Sequence, residues 1–103
     1  MVNVIIYMNK ENEAKELISV LLKTEMVANA SLDVKNVSYR LEGGSVNASF
    51  HVVITAQTKA MLFSEIESYV ETNYGEHVPV YSLPITQAND SFDTLIRTHT
   101  KKI

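Results

Sequence analysis

Three histidines, one charged pair and one glycine pair are where chemistry could begin in this 103-residue chain. His51 lies between Phe50 and Val52 in an alternating stretch, so on a strand it points to the face opposite Phe50. His77 follows Glu76, and His99 sits in a polar C-terminal stretch. No two histidines stand at HxH or HExxH spacing, and there is no cysteine to complete a soft site. A metal site within one chain is therefore not expected. A site at a subunit junction would draw its ligands from different chains, and Glu76 with His77 are its first candidates. Ser and Thr are scattered, none in a G-x-S-x-G turn, so no activated nucleophile is indicated. Gly43-Gly44 lacks the spaced glycines and the Lys-Ser/Thr of a phosphate loop. Glu65 and Glu67 fall on the outward side of a helical pattern, where carboxylates are solvated. Nothing here points to an enzyme.

Arg40 and Glu42 stand two residues apart just before Gly43-Gly44. On a strand such residues share a face, so the pair presents opposite charges side by side. Two readings are open. The pair is a solvated hairpin tip, or it contacts a neighbouring subunit and lines a cleft.

The totals bound the classes. An apolar fraction of 46% with 20% charged residues is ordinary globular composition, and the length suits one domain, residues 1–103. A net charge of −3 argues against a nucleic-acid partner, which requires clustered Lys and Arg. The absence of cysteine suits a reducing compartment, and "MVNVIIYMNKENEAKE" lacks the basic n-region of a signal peptide, so a cytoplasmic protein is expected. No stretch approaches the ~20 apolar residues of a membrane helix, so no membrane partner is expected.

The elements that must position these residues follow from periodicity. "VNVIIYM", residues 2–8, reads as a buried strand. Asn9 offers an N-cap, Glu11 and Glu13 favour the first turn, and Ala14, Leu17, Ile18, Leu21 and Leu22 repeat at helical spacing. In "MVANASLDVKNVSYRLE", Ala30, Leu32 and Val34 are apolar at even positions, but Val37, Tyr39 and Leu41 at odd ones. One regular strand cannot put both sets on one face, so a bulge or tight turn is expected at Lys35-Asn36. Gly43-Gly44 closes a hairpin, and Ala48, Phe50, Val52, Ile54 and Ala56 alternate along the return strand. Thr58 is the expected cap of a second helix through Leu62, Phe63, Ile66, Tyr69 and Val70, which Gly75 ends. Residues 77–85 make a last strand, confined by Pro79 and Pro84 to a sheet edge or to the segment between them. A helical pattern through Ala88, Phe92, Leu95 and Ile96 closes the chain.

The fold class is thus α+β: a ferredoxin-like β-α-β-β-α-β sandwich with a C-terminal helix. Two helices cover only one side of such a sheet. The other side carries Val53 and, depending on register, Tyr39, Leu41, Val80 or Leu83. Exposed apolar surface of this kind is usually covered by another chain, so a homo-oligomer is expected.

The motifs resemble those of the divalent-cation tolerance protein family, CutA. Members carry a segment like "LAACVNIxPxxxSxYxWxG", which "MVANASLDVKNVSYRLEGG" matches through Ala28, Ser38, Tyr39 and Gly43. "YGEHVPVYSLPI" echoes the family's "HPYxxPxIxxLP" through Val78, Pro79, Leu83, Pro84 and Ile85, and "SFDTLI" echoes its final "YxxWI" through Phe92 and Ile96. The resemblance implies a PII-like homotrimer with inter-subunit clefts and no enzymatic activity, associated with tolerance of divalent metal ions. It implies a divalent cation as the one cofactor to consider. An alternative within the same architecture is a PII-like regulator that binds a small anionic metabolite at those clefts. Asn29, Tyr39, Arg40, Leu41, Glu42 and Tyr81 would then be interface or cleft residues, with the long hairpin reaching the next subunit. The sequence departs from the family at Asn29, where the family has cysteine, at Leu41 and Leu95, where it has tryptophan, and at Val80, where it has an acid. Tyr74-Gly75-Glu76 replaces "HPY". These changes remove a thiolate and a carboxylate from any coordination sphere.

Overall fold

A computed structural model describes residues 1–102. The order is β1 (Val2–Met8), α1 (Glu11–Lys23), β2 (Asn29–Glu42), β3 (Ser45–Thr58), α2 (Phe63–Tyr74), β4 (Val80–Pro84) and α3 (Asp90–His99), with a 3₁₀ turn at Ala60–Leu62 before α2. The strands form one sheet in the order β2-β3-β1-β4, every neighbouring pair antiparallel. This is the expected split βαβ arrangement.

The core follows from strand alternation. Val4, Ile6 and Met8 of β1 stand opposite Ala56, Ile54 and Val52 of β3, so all six share a face. Against that face α1 buries Ala14, Leu17 and Leu21, and α2 buries Ile66 and Val70. Gly75 ends α2 at φ 110°, a backbone region that suits glycine, and its N–H donates to the Glu71 carbonyl at 3.1 Å. Asn89 caps α3 by accepting the Phe92 N–H at 3.0 Å, so that helix starts after Ala88.

The phase slip in β2 is a bulge. Asp33 faces Val53 and Asn36 faces His51, so two residues, Val34 and Lys35, oppose the single Val52. The Asp33 carboxylate accepts the Lys35 N–H at 3.0 Å, giving that bulge donor a partner.

Three sequence expectations need correction. Asn9 is not the cap of α1: Lys10 is still extended at φ −125°, ψ 130°, and its carbonyl accepts the Ala14 N–H, so the helix begins one residue later without a side-chain cap. Thr58 is not the cap of the second helix. It ends β3, fully buried, and its hydroxyl donates to the Met26 carbonyl at 2.5 Å. The last strand spans only Val80–Pro84, because residues 76–78 turn and the prolines bracket the segment; it lies on the sheet edge, as proline content requires.

The C-terminal helix packs on its own chain. Ile96 is fully buried, apart from the main core. The Lys101 N–H donates to the Glu25 carbonyl at 2.8 Å, the Lys101 carbonyl accepts from Lys59 Nζ at 3.1 Å, and the Lys101 side chain pairs with Glu65.

Thr58→Val keeps shape but removes the donor to Met26. It should cost about 1 kcal/mol, the net worth of a hydrogen bond to a partly buried acceptor. Denaturant unfolding with an unchanged m-value is the measurement, and a midpoint equal to that of the parent chain would contradict the assignment.

Candidate cleft and hairpin surface

β2 and β3 each run for 14 residues, beyond the reach of α1 and α2. Their turn is the pair Gly43 and Gly44, at φ +56° and +81°, between the partnered Glu42 and Ser45. Positive φ at both central residues is the type I′ geometry, which only glycine and its close substitutes adopt cheaply. From Val52 to Val46 the hairpin extends six residues, about 20 Å at ~3.3 Å per residue. It raises the radius of gyration to 14.6 Å, against about 13 Å for a compact chain of this size.

The bulge decides what each hairpin face carries. Val37, Tyr39 and Leu41 stand opposite Phe50, Ala48 and Val46, on the side of the sheet that the helices cover further back. Past the helices nothing covers them: Tyr39 is 68% exposed, Val46 71%, Leu41 73% and Phe50 77%. The register left open by the sequence is thereby fixed. Tyr39, Leu41 and Val80 lie on the helix side, and Leu83 and Tyr81 lie on the other face beside Asn3 and Ile5. That other face also receives Ser38, Arg40, Glu42, Ser49 and His51.

At the base of the hairpin the polar face meets the end of β1 and the turn before β4. A cleft of about 240 Å³ opens there, lined by Tyr7, Glu13, Arg40, His51, Tyr74 and His77 among others. A second hollow of about 270 Å³ shares Tyr7, Arg40, His51 and Pro79 with it and is bounded by Tyr39 and Tyr81. Tyr7 is the common wall. Its ring meets His51 edge-on at 5.5 Å between centroids and stacks on Tyr81 at 6.3 Å, tilted 28°. The neighbouring Tyr7 side chain, and to a smaller extent desolvation, hold the Tyr81 phenol above its ordinary range. Among the described residues His51 Nδ1 is buried without a hydrogen-bond partner. Among the described residues Arg40 makes no side-chain hydrogen bond and no ion pair. The Tyr74 hydroxyl donates to Glu16 Oε1 at 2.8 Å; desolvation first, then that hydrogen bond and the Glu16 charge, push its phenol far up.

The residues singled out in the sequence divide into three places. Tyr39, Arg40 and Tyr81 come together around the second hollow, and His77 joins Arg40 in the first. Leu41 and Glu42 stand at the exposed tip, with no ion pair between Arg40 and Glu42. Asn29 lies at the opposite end of β2, eleven residues from Arg40 and about 35 Å away along the strand. Its amide donates to Gln57, which donates to Asn3, each at 2.8 Å, forming a ladder across three strands. Glu76 does not line either hollow. Sequence reasoning missed Tyr7, Glu13 and Tyr74, which reach the cleft from β1, α1 and α2. The only signal that bore on it was His51 facing away from Phe50.

The described residues of one chain do not fit a resident metal. Among the described residues no three His, Cys, Asp or Glu side chains come together. The family match covers nearly the whole chain: the family model described as CutA1 divalent ion tolerance protein matches residues 2–99. The chain belongs to that family. Solved CutA1 structures share its fold, ferredoxin-like and PII-like. The protein from Oryza sativa superimposes with a TM-score of 0.89 at 16% identity, covering 99% of this chain and 94% of that one. CutA1 from Pyrococcus horikoshii gives 0.86 at 19% identity over 99% and 100% of the two chains. The periplasmic divalent cation tolerance protein CutA from Archaeoglobus fulgidus gives 0.84 at 20% identity over 98% and 100%. No curated protein matches the sequence. Within the CutA1 fold, the cleft is thus built at the junction of hairpin, β1 and the turn before β4, and among the described residues no helix is long and apolar enough to cross a membrane.

The raised Tyr74 phenol carries a pH dependence with a definite sign. Above the ordinary tyrosine value of 10.0, the unfolded chain loses this proton while the folded chain keeps it. Folding stability therefore falls as pH rises past that value. Tyr74→Phe should lower stability at neutral pH by about 1 kcal/mol, the net worth of one hydrogen bond, and flatten the alkaline decline. Urea midpoints on both sides of that value check it; parallel profiles for the two proteins would refute the coupling.

Proposed function

We propose that this CutA1-family protein works as a non-enzymatic homotrimer in the cellular response to divalent metal ions. The observation that carries the assembly is the apolar stripe of Val37, Tyr39, Leu41, Val46 and Phe50 on a hairpin that projects beyond its own helices. A solvated hairpin has no use for aromatic side chains exposed on one face, whereas a neighbouring subunit covers them at a gain of about 1–3 kcal/mol per large side chain. The functional half of the reading rests on family membership over residues 2–99. A divalent cation enters as what the assembly responds to, since the described residues of one chain gather no ligand set for it. Glu76 and His77, both exposed, are the ligands available for sharing between subunits.

Light scattering of the purified protein, with and without a divalent-metal chelator, tests this. A mass near three times 11.6 kDa is expected. A trimer that persists under chelation makes metal incidental to assembly, and one that dissociates assigns Glu76 and His77 to a junction site. A monomer at micromolar concentration removes the proposal. The hairpin is tested separately: Tyr39→Ala should raise the trimer dissociation constant by about tenfold or more, because large aromatics dominate interface energies. Unchanged mass and melting temperature in that variant would make the hairpin a solvated tip.

A further inference from the structure

We infer that the cleft at the hairpin base is a binding site for a small aromatic carboxylate whose ring carries a hydrogen-bond donor at its far end. This deepens the small-anion alternative, but the walls named here all come from one chain, so it does not rest on the trimer.

The argument begins with what the cleft leaves unpaired. Arg40 lines both hollows and, among the described residues, pairs with no carboxylate or carbonyl. A guanidinium presents donors in a fork that matches a carboxylate in bidentate geometry.

The walls select a flat body. Tyr7 faces both hollows and is held by His51 and Tyr81 in a fixed aromatic stack, so its ring is a preformed surface. Tyr74, tied to Glu16, contributes to the wall of the first hollow. At about 240 Å³ that hollow lies below the usual range for drug-sized ligands and suits a single ring.

Glu13 lines the same hollow from a different element. It lines the first hollow only, whereas Arg40 lines both, and it comes from the first turn of α1 rather than from the hairpin. A carboxylate there repels a second anionic group and accepts from a hydroxyl or amino group. The cleft thus reads an anion at Arg40, a ring on Tyr7 and a donor toward Glu13.

Isothermal titration of the full chain in its native assembly, with para-hydroxybenzoate, benzoate and inorganic phosphate as probes, decides this. The expected order of affinity is para-hydroxybenzoate, then benzoate, then phosphate. Arg40→Gln should weaken the first by about tenfold or more, the worth of a hydrogen bond to a charged group. Arg40 is exposed, so this variant folds, and Arg40→Lys should recover part of the loss by restoring charge without the fork. Tyr7→Leu should weaken both aromatic probes and leave phosphate unchanged. Glu13→Gln should narrow the preference for the hydroxylated ring. The inference is overturned if the parent chain binds neither aromatic acid, if phosphate binds as tightly as they do, or if Arg40→Gln leaves their affinity unchanged. Binding by a chain that proves monomeric would sustain the site while removing the trimer.

Discussion

Two residues of β2 opposite one of β3 determine most of what this molecule presents to its surroundings. Before the bulge, Ala30 and Leu32 share the helix side with Ala56 and Ile54; after it, Val37, Tyr39 and Leu41 share that same side with Phe50, Ala48 and Val46. Without the extra residue, every side chain beyond Lys35 would change face. Arg40 would leave the cleft, and the apolar stripe would break up. The Asp33 carboxylate holds this arrangement by accepting the Lys35 N–H, so a single local contact supports both surfaces of the hairpin.

Much of this was legible in the sequence because it depends on neighbours in the chain. Parity along residues 30–41 located the bulge, paired glycines located the turn, and Pro79 and Pro84 located an edge strand. The caps were less legible, since a capping residue is defined by where its hydroxyl or amide goes. Thr58 has a cap's chemistry, but its partner is Met26, 32 positions away. The cleft was least legible of all. Tyr7, Glu13, Arg40, His51, Tyr74 and His77 come from six separate segments, and only the sheet order β2-β3-β1-β4 brings them together. No spacing rule spans such a set.

The same distinction explains how identity as low as 16% to 20% coexists with TM-scores of 0.84 to 0.89. The fold asks for apolar residues of suitable size on one face of each strand and one stripe of each helix. Val4, Ile6, Ile54, Leu17 and Ile66 satisfy that demand and could be exchanged for similar residues without loss of topology. A cleft asks for specific polar atoms, so it can diverge while the framework stays. Arg40, His51 and His77 are residues of that kind: each could change without disrupting the core of the sheet, and each changes what the cleft offers.

The hairpin therefore joins two surfaces on one pair of strands. Its apolar side, from Val37 to Phe50, faces a neighbour in the proposed trimer; its polar side supplies Arg40, Ser49 and His51 to the cleft. Side chains at successive positions belong to opposite faces, so Tyr39 and Arg40 cannot be ordered independently. A subunit seated on Tyr39 restricts the backbone that aims Arg40, and a carboxylate held by Arg40 restricts the backbone that presents Tyr39. Any coupling between the proposed assembly and the proposed ligand would be reciprocal by thermodynamic necessity, each changing the other's affinity by the same factor. The physical carrier is a two-stranded ribbon projecting past its helices, which, alone in water, has little to fix its position.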